Sequence, residues 1–398
     1  MKKYIAEMPN FEYGIKDYIN VIRAMKRLTL TNANGTSDER SLLEKRFQEY
    51  LKIKHALTIT NGASGIDLAC KAIELKKGDE VVSCAINFYG THLSVLNREA
   101  NLILVNPEIN SVQINPNEMF KKINEKTKAV IITQMNGGTA NMKSVMKLIR
   151  EKEKMLNKKI YVIEDAARSL GAEYYGKKVG TFGDIGIYSF QTKKNFCTLG
   201  EGGLIVTNND KLYEKIKNIR SFGGREKEEY GTNYRLSRVQ CAAGLTQLEK
   251  LDKNNERRIR IAKDRNRMLK EYMDVLYTEE ESENIKNIYT YYNIILNERF
   301  SKEERDIIRK KLKDEYNIET CIANEPTYIS HGYVSKHADY NNTNYAKNIG
   351  ERIISLPIHF KMKSSDNRYI VNSLIKTIEQ IKKYDTTNAW DDKNTINN

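Results

Sequence analysis

The chain has 398 residues, 40% of them hydrophobic and 30% charged, which is enough for one large core or two domains and argues against disorder. No run approaches the roughly 20 apolar residues of a membrane helix, and the opening MKKYIAEMPNFEYG has no apolar stretch of the secretory type. The formal charge of +14 invites a nucleic-acid partner, but the lysines alternate with glutamates, as in EKRFQEYLKIK (44–54), the pattern of a solvated helix face. We therefore expect neither nucleic acid nor membrane as partner. At most the excess draws in an anionic small molecule. Five scattered cysteines, odd in number and without a C-x-x-C pair, suit free thiols in a reducing, cytoplasmic setting. The five histidines form no metal-binding motif, so no metal is expected.

In chain order, SDERSLLEKRFQEYLKI (37–53) has helical spacing, HALTIT (55–60) reads as a strand, and GIDLACKAIEL (65–75) as a helix. EVVSCAI (80–86) and LILVNP (102–107) are strand-like, EMFKKIN (118–124) is helical, and AVIITQM (129–135) is a buried strand. MKSVMKLIREKEKML (142–156) is a helix, and IYVIEDA (160–166), IGIY (185–188) and LIVT (204–207) are strands. Continuous apolar strands between helices predict an α/β fold whose central sheet is mostly parallel and covered on both faces, with right-handed connections. Beyond about 210 the pattern changes: a long helical tract (235–275), a strand (290–296), a helix capped by Ser301 (301–316) and a closing helix (366–384) suggest a smaller C-terminal α+β domain. The expected division is a large domain over 25–260, a small one built from 1–24 and 261–384, and a disordered polar tail over 385–398.

Ligands of such sheets sit beyond the carboxyl ends of the strands. Three features lie there. NGASG (61–65) leads from a strand into a helix; Gly62, Ala63 and Ser64 could cradle a phosphate, or the run is a plain turn. Glu164 and Asp165 end a buried strand, where an acid needs a partner: a helix end, a cationic ring nitrogen or a metal. With no histidine or cysteine ligands nearby, the ring is preferred. SFQTKKNFCTLGEGGL (189–204) places Ser189, Lys193 and Lys194 after the next strand, where a partly buried lysine becomes a nucleophile towards carbonyls. A phosphate grip, a strand-end acid and a lysine are together the requirements of pyridoxal phosphate.

The run IEDAARSLGAEYYGKKVGTFGDIGIYSFQTKKNFCTLGEGGLIVTN (163–208) resembles the core of the DegT/DnrJ/EryC1/StrS family of pyridoxal-phosphate sugar aminotransferases. LTLTNANG (28–35), GDEVVSCAINFYG (78–90), TKAVIITQMNGGTANM (127–142), NYRLSRVQCAAGLTQLEKLD (233–252) and ERIISLPIH (351–359) extend the likeness. The resemblance implies the type I fold of pyridoxal-phosphate enzymes and that cofactor. It implies Asp165 as partner of the pyridine nitrogen, and Lys194, 29 residues after it and five after Ser189, as the lysine that binds the cofactor. It further implies Ser189, Ala63 and Ser64 on the phosphate, Phe88 on the ring, and Asn233 on the phosphate of a second subunit, hence a homodimer with shared sites. Lys193 is then a neighbour only.

Three positions depart from the family pattern. Arg168 stands where the family usually has Gln or His near the cofactor's phenolic oxygen; a fixed cation there would favour the oxyanion and alter the amine's pKa, or else the Arg168 side chain turns away. Gln134 replaces a usual histidine. Tyr328, in PTY (326–328), replaces a histidine often close to the sugar and is a candidate substrate residue. The expected activity is transfer of an amino group from an amino acid, by family habit L-glutamate, to a keto-sugar, most often nucleotide-linked. Alternatives are a small phosphorylated ketone, a keto-cyclitol, or a regulatory member without turnover. The dehydratase branch of the family has histidine in place of the lysine, which Lys194 argues against.

Overall fold

The computed structural model describes residues 2–8, 11–30, 39–224, 230–279, 282–323 and 325–394, with side chains omitted at 28–30 and 382–394. Most of LTLTNANG (28–35) therefore lies outside the described residues. Eight strands form the central sheet: β1 (His55–Ile59), β2 (Glu80–Cys84), β3 (Asn101–Val105), β4 (Thr127–Thr133), β5 (Tyr161–Asp165), β6 (Ile185–Ser189), β7 (Gly203–Thr207) and β8 (Ala338–Asp339). Their order is β8-β3-β2-β4-β5-β6-β7-β1. All neighbours are parallel except those of β7, which runs against both β6 and β1. Every residue of β6 and β7 is buried, as expected of strands covered on both faces.

Reversal at β7 returns β1 to the direction of β5 and β6. The carboxyl ends of β1, β2, β5 and β6 therefore share one edge, and the candidate residues collect there. Local chemistry explains the covering helices. Met142–Leu156 buries Met142, Val145 and Ile149 at helical spacing, starts on the Asn141 side chain accepting the Ser144 N–H at 3.1 Å, and ends on Asn157 at φ 47°.

The second, antiparallel sheet joins Leu276–Thr278, Tyr292–Leu296 and Ile353–Leu356. Helix Lys302–Tyr316 packs with it, and Ser301 and Glu304 form the capping box that opens that helix. This is the smaller α+β unit. The N-terminal segment reaches both units. Tyr4–Ile5 pairs with Ile318–Glu319, while Asp17 accepts from Thr246 and Gln247, at 2.6 and 2.7 Å, and pairs with Lys250 on the long helix Arg238–Leu269. That helix crosses residue 260 without a break.

The closing helix is Ser364–Asn394. The sequence there holds neither proline nor glycine, and nothing interrupts the i→i−4 ladder of the preceding turns. Among the described residues no helix is long and apolar enough to cross a membrane.

Candidate active site

Asn61 caps the helix Gly62–Ala72. Its side chain accepts the Ser64 N–H at 2.8 Å, and the Ser64 hydroxyl accepts the Asn61 N–H at 3.2 Å. The first-turn N–H groups of Gly62 and Ala63 are those a helix leaves without internal partners. Gly62 is pressed against the end of β6: a Cβ there would meet Ser189 Cβ at 3.1 Å. The absent side chain thus leaves the Ser189 hydroxyl and two N–H groups around one small concavity at a positive helix end, the chemistry a phosphate requires. The NGASG run is both a capped turn and a fitting anion cradle.

Asp165 ends β5 and is buried. Its Oδ2 accepts the Thr91 hydroxyl at 2.6 Å and its Oδ1 accepts the Ala167 N–H at 3.1 Å. Thr91 belongs to helix Tyr89–Leu96, and Phe88 sits at that helix's N-cap, its carbonyl accepting the Thr91 N–H at 3.1 Å. One turn thereby couples the acid to the aromatic ring. Phe88 is 47% exposed and lies against Tyr89. Gly90 keeps room for it, since a Cβ there would fall 2.5 Å from Phe88 Cε1.

The neighbouring acid has a different fate. Glu164 is fully buried and accepts four N–H groups, from Gly180, Phe182, Gly183 and the Gln134 amide. Burial pushes its pKa up, and the donors oppose the shift. Gln134 also accepts the Ala140 N–H at 2.8 Å, so its side chain braces the loop after β4.

The two lysines separate as well. Lys193 is exposed and pairs with Glu7 at 2.8 Å. Lys194 is half-buried, and its pKa is lowered to about 7. Burial is the first cause and the Arg168 guanidinium the second; Asp165 and Glu201 pull the other way. Arg168 is held by Asn136 Oδ1 at 3.1 Å and lies over the Tyr291 ring, 4.6 Å from its centroid. Its carbonyl accepts the Thr290 hydroxyl. Arg168 is therefore anchored from the small unit, a role for Thr290 and Tyr291 that no local sequence pattern signals.

Gly62, Ala63, Ser64, Phe88, Asp165, Arg168, Ser189 and Lys194 thus gather at one edge. Asn233 and Tyr328 do not join them. The segment around Asn233 runs beside the end of β1, where the Thr60 N–H donates to the Tyr234 carbonyl at 3.0 Å. The Asn233 side chain is exposed and accepts from Arg235 Nε at 2.9 Å. Tyr328 stacks on Tyr340, 4.3 Å between centroids, and its hydroxyl donates to the Thr343 carbonyl at 3.3 Å. The histidine of that stretch that reaches the site's aromatic rim is His331, stacked on Tyr89.

The fold is that of the type I pyridoxal-phosphate class. Residues 18–375 match the DegT/DnrJ/EryC1/StrS aminotransferase family, and the chain belongs to it. It is similar to GDP-perosamine synthase of Escherichia coli O157:H7, 29% identical over 94% of this chain and 98% of that protein. It is also 29% identical to the pleiotropic regulatory protein of Geobacillus stearothermophilus, over 83% of this chain and 87% of that protein. The PLP-form of Spr1654 from Streptococcus pneumoniae shares the fold with TM-score 0.84, covering 95% of this chain and 99% of that one at 20% identity.

Proposed function

We propose that the protein is a pyridoxal-phosphate-dependent aminotransferase that moves an amino group from an amino acid, L-glutamate by family habit, to a keto-sugar, most often nucleotide-linked. The observation that carries this is the gathering of Asp165, Arg168 and the Lys194 amine, whose pKa is lowered to about 7, at the sheet edge that also holds the Gly62–Ser189 concavity. The residues fit the cofactor. Gly62, Ala63, Ser64 and Ser189 would hold its phosphate, Phe88 would cover its ring, and Asp165 would hold a proton on its ring nitrogen. When bound, the cofactor supplies the electron sink that lets an amino acid lose its α-proton.

The chain's own side chains do the rest. Lys194 has an amine free enough near neutral pH to take the proton from the α-carbon and return it to the other end of the transfer. Thr91 and the Ala167 N–H fix the orientation of the Asp165 carboxyl. Arg168 keeps a second positive charge near the amine, which opposes its protonation. Asn233, turned outward, suits contact with a second copy, and the reading includes a cytoplasmic homodimer with shared sites.

The test is spectroscopic. Protein loaded with the cofactor should absorb in the visible edge, lose that band on adding L-glutamate, and recover it with the correct acceptor from a panel of nucleotide-linked keto-sugars, phosphorylated ketones and keto-cyclitols. Lys194→Ala should lose the band and slow transfer by roughly 10²–10⁴-fold or more. If Lys193→Ala alone removed the band, the assignment would fail. The likeness to a pleiotropic regulatory protein favours a second reading, a regulator without turnover, which a glutamate-insensitive band would support.

A further inference from the structure

Apart from Lys194, Asp165 and Ser189, a cavity of about 360 Å³ lies between the loops that follow β3 and β4 and the small-unit strands Leu276–Thr278 and Tyr292–Leu296. Its size falls within the range of small-molecule sites, roughly 300–1,000 Å³. Its lining carries unmet polar groups. Both carboxyl oxygens of Glu279 are shut off from solvent and have no hydrogen-bond partner among the described residues, although the residue as a whole is half-buried. The carboxyl lies against the Gly138 backbone, where a Cβ would meet Glu279 Oε2 at 3.2 Å. Asn293 is only 5% exposed; its Oδ1 accepts the Ser355 hydroxyl at 2.7 Å, but its Nδ2 finds no acceptor. The Thr139 hydroxyl is unmet too.

Buried polar groups without partners cost free energy, so an acceptor pair and a donor around one cavity ask for a ligand that carries both complements. Charge decides its class. Among the described residues no lysine, arginine or histidine lines the cavity, and the other titratable side chains there are Glu108, Tyr174 and Tyr277. An anion would find no cation to pair with, whereas an ammonium would complete Glu279.

We propose that this cavity binds a small polyhydroxylated primary amine, with its ammonium on Glu279 and a hydroxyl oxygen on Asn293 Nδ2. Burial alone pushes the Glu279 carboxyl up to about 8, so at neutral pH it keeps its proton until the ammonium arrives. Binding then ionises the carboxyl and releases that proton to solvent. The loop that carries Thr139 also carries Asn136, the residue that holds Arg168, so an occupant touches the segment that positions the cation of the active site.

The experiment is calorimetric titration of the cofactor-loaded protein with glucamine, with sorbitol as the uncharged control and the cofactor's absorbance followed in parallel. Glucamine should bind saturably, at least about ten-fold more tightly than sorbitol, because only it meets the carboxyl with charge. At pH 7 it should release about one proton per molecule bound, read from buffers of different ionisation enthalpy. Glu279→Gln keeps the shape and should weaken glucamine by about ten-fold or more without lowering the melting temperature, since the wild-type carboxyl has no partner to lose. Thr139→Val should weaken it less. Absence of glucamine binding, or binding that moves the cofactor band and is unchanged by Glu279→Gln, would overturn the proposal.

Discussion

The end of β5 and the loop after β6 each carry two adjacent like charges, and the fold splits both pairs by different means. In the strand, alternation alone sends Glu164 and Asp165 to opposite sides of the sheet. Glu164 is swallowed by the N–H groups of 180–183, while Asp165 meets Thr91 at the open edge. In the loop nothing periodic separates Lys193 from Lys194. Gln191 does it: its side-chain oxygen accepts the Lys193 N–H at 2.7 Å and its carbonyl accepts the Lys194 N–H at 2.9 Å. A strand thus divides neighbours by geometry, whereas a loop requires specific hydrogen bonds.

The comparison can be broken in three places. Glu164→Leu leaves four N–H donors, two of them fully buried, without their acceptor and should cost about 3–5 kcal/mol, measured by urea unfolding. A loss below 1 kcal/mol would show that the acid is not the anchor of that loop. The second effect is on pH dependence. The unfolded chain keeps the Lys194 proton up to the ordinary lysine range, while the folded, cofactor-free protein releases it near 7. Between those limits the unfolded state binds more protons, so stability should rise with pH. Lys194→Met should remove that rise. Arg168→Gln should shrink it, because removing the guanidinium lets the amine pKa climb. The smallest effect belongs to Lys193→Ala, which breaks an exposed pair with Glu7 and should change stability by about 0–1 kcal/mol.

Much of the central sheet was legible because its strands are continuous apolar runs. AVIITQM and IGIY can hardly be placed anywhere but in a core. The edge strand Ala338–Asp339 was not legible: it is two residues long, lies in a polar stretch, and exists only because it pairs with Leu102 and Ile103. Helix Tyr89–Leu96 was also missed, being short and opened by a Phe that makes no side-chain cap. At the site, the family resemblance singled out Lys194 and Asp165 by spacing, whereas Thr91, Asn136 and Tyr291 depend on contacts 74, 32 and more than 120 residues distant in the chain. The resemblance points to Tyr328 as a substrate residue, and its ring packs on Tyr340, a contact that no local pattern signals.

One glycine has a kinetic consequence. Gly203 opens the lone reversed strand and is paired with both Ser189 and Ile59; a Cβ on it would fall within 2.9 Å of the Tyr188 carbonyl oxygen and the Asn61 carbonyl carbon. The hairpin with β6 is local and closes early, but pairing β7 with β1 joins residues about 150 positions apart. Only that late, long-range closure brings Gly62 against Ser189. If Gly62 and Ser189 hold a phosphate as proposed, its capture should be among the last properties acquired during refolding and would serve as a clock for completion of the sheet.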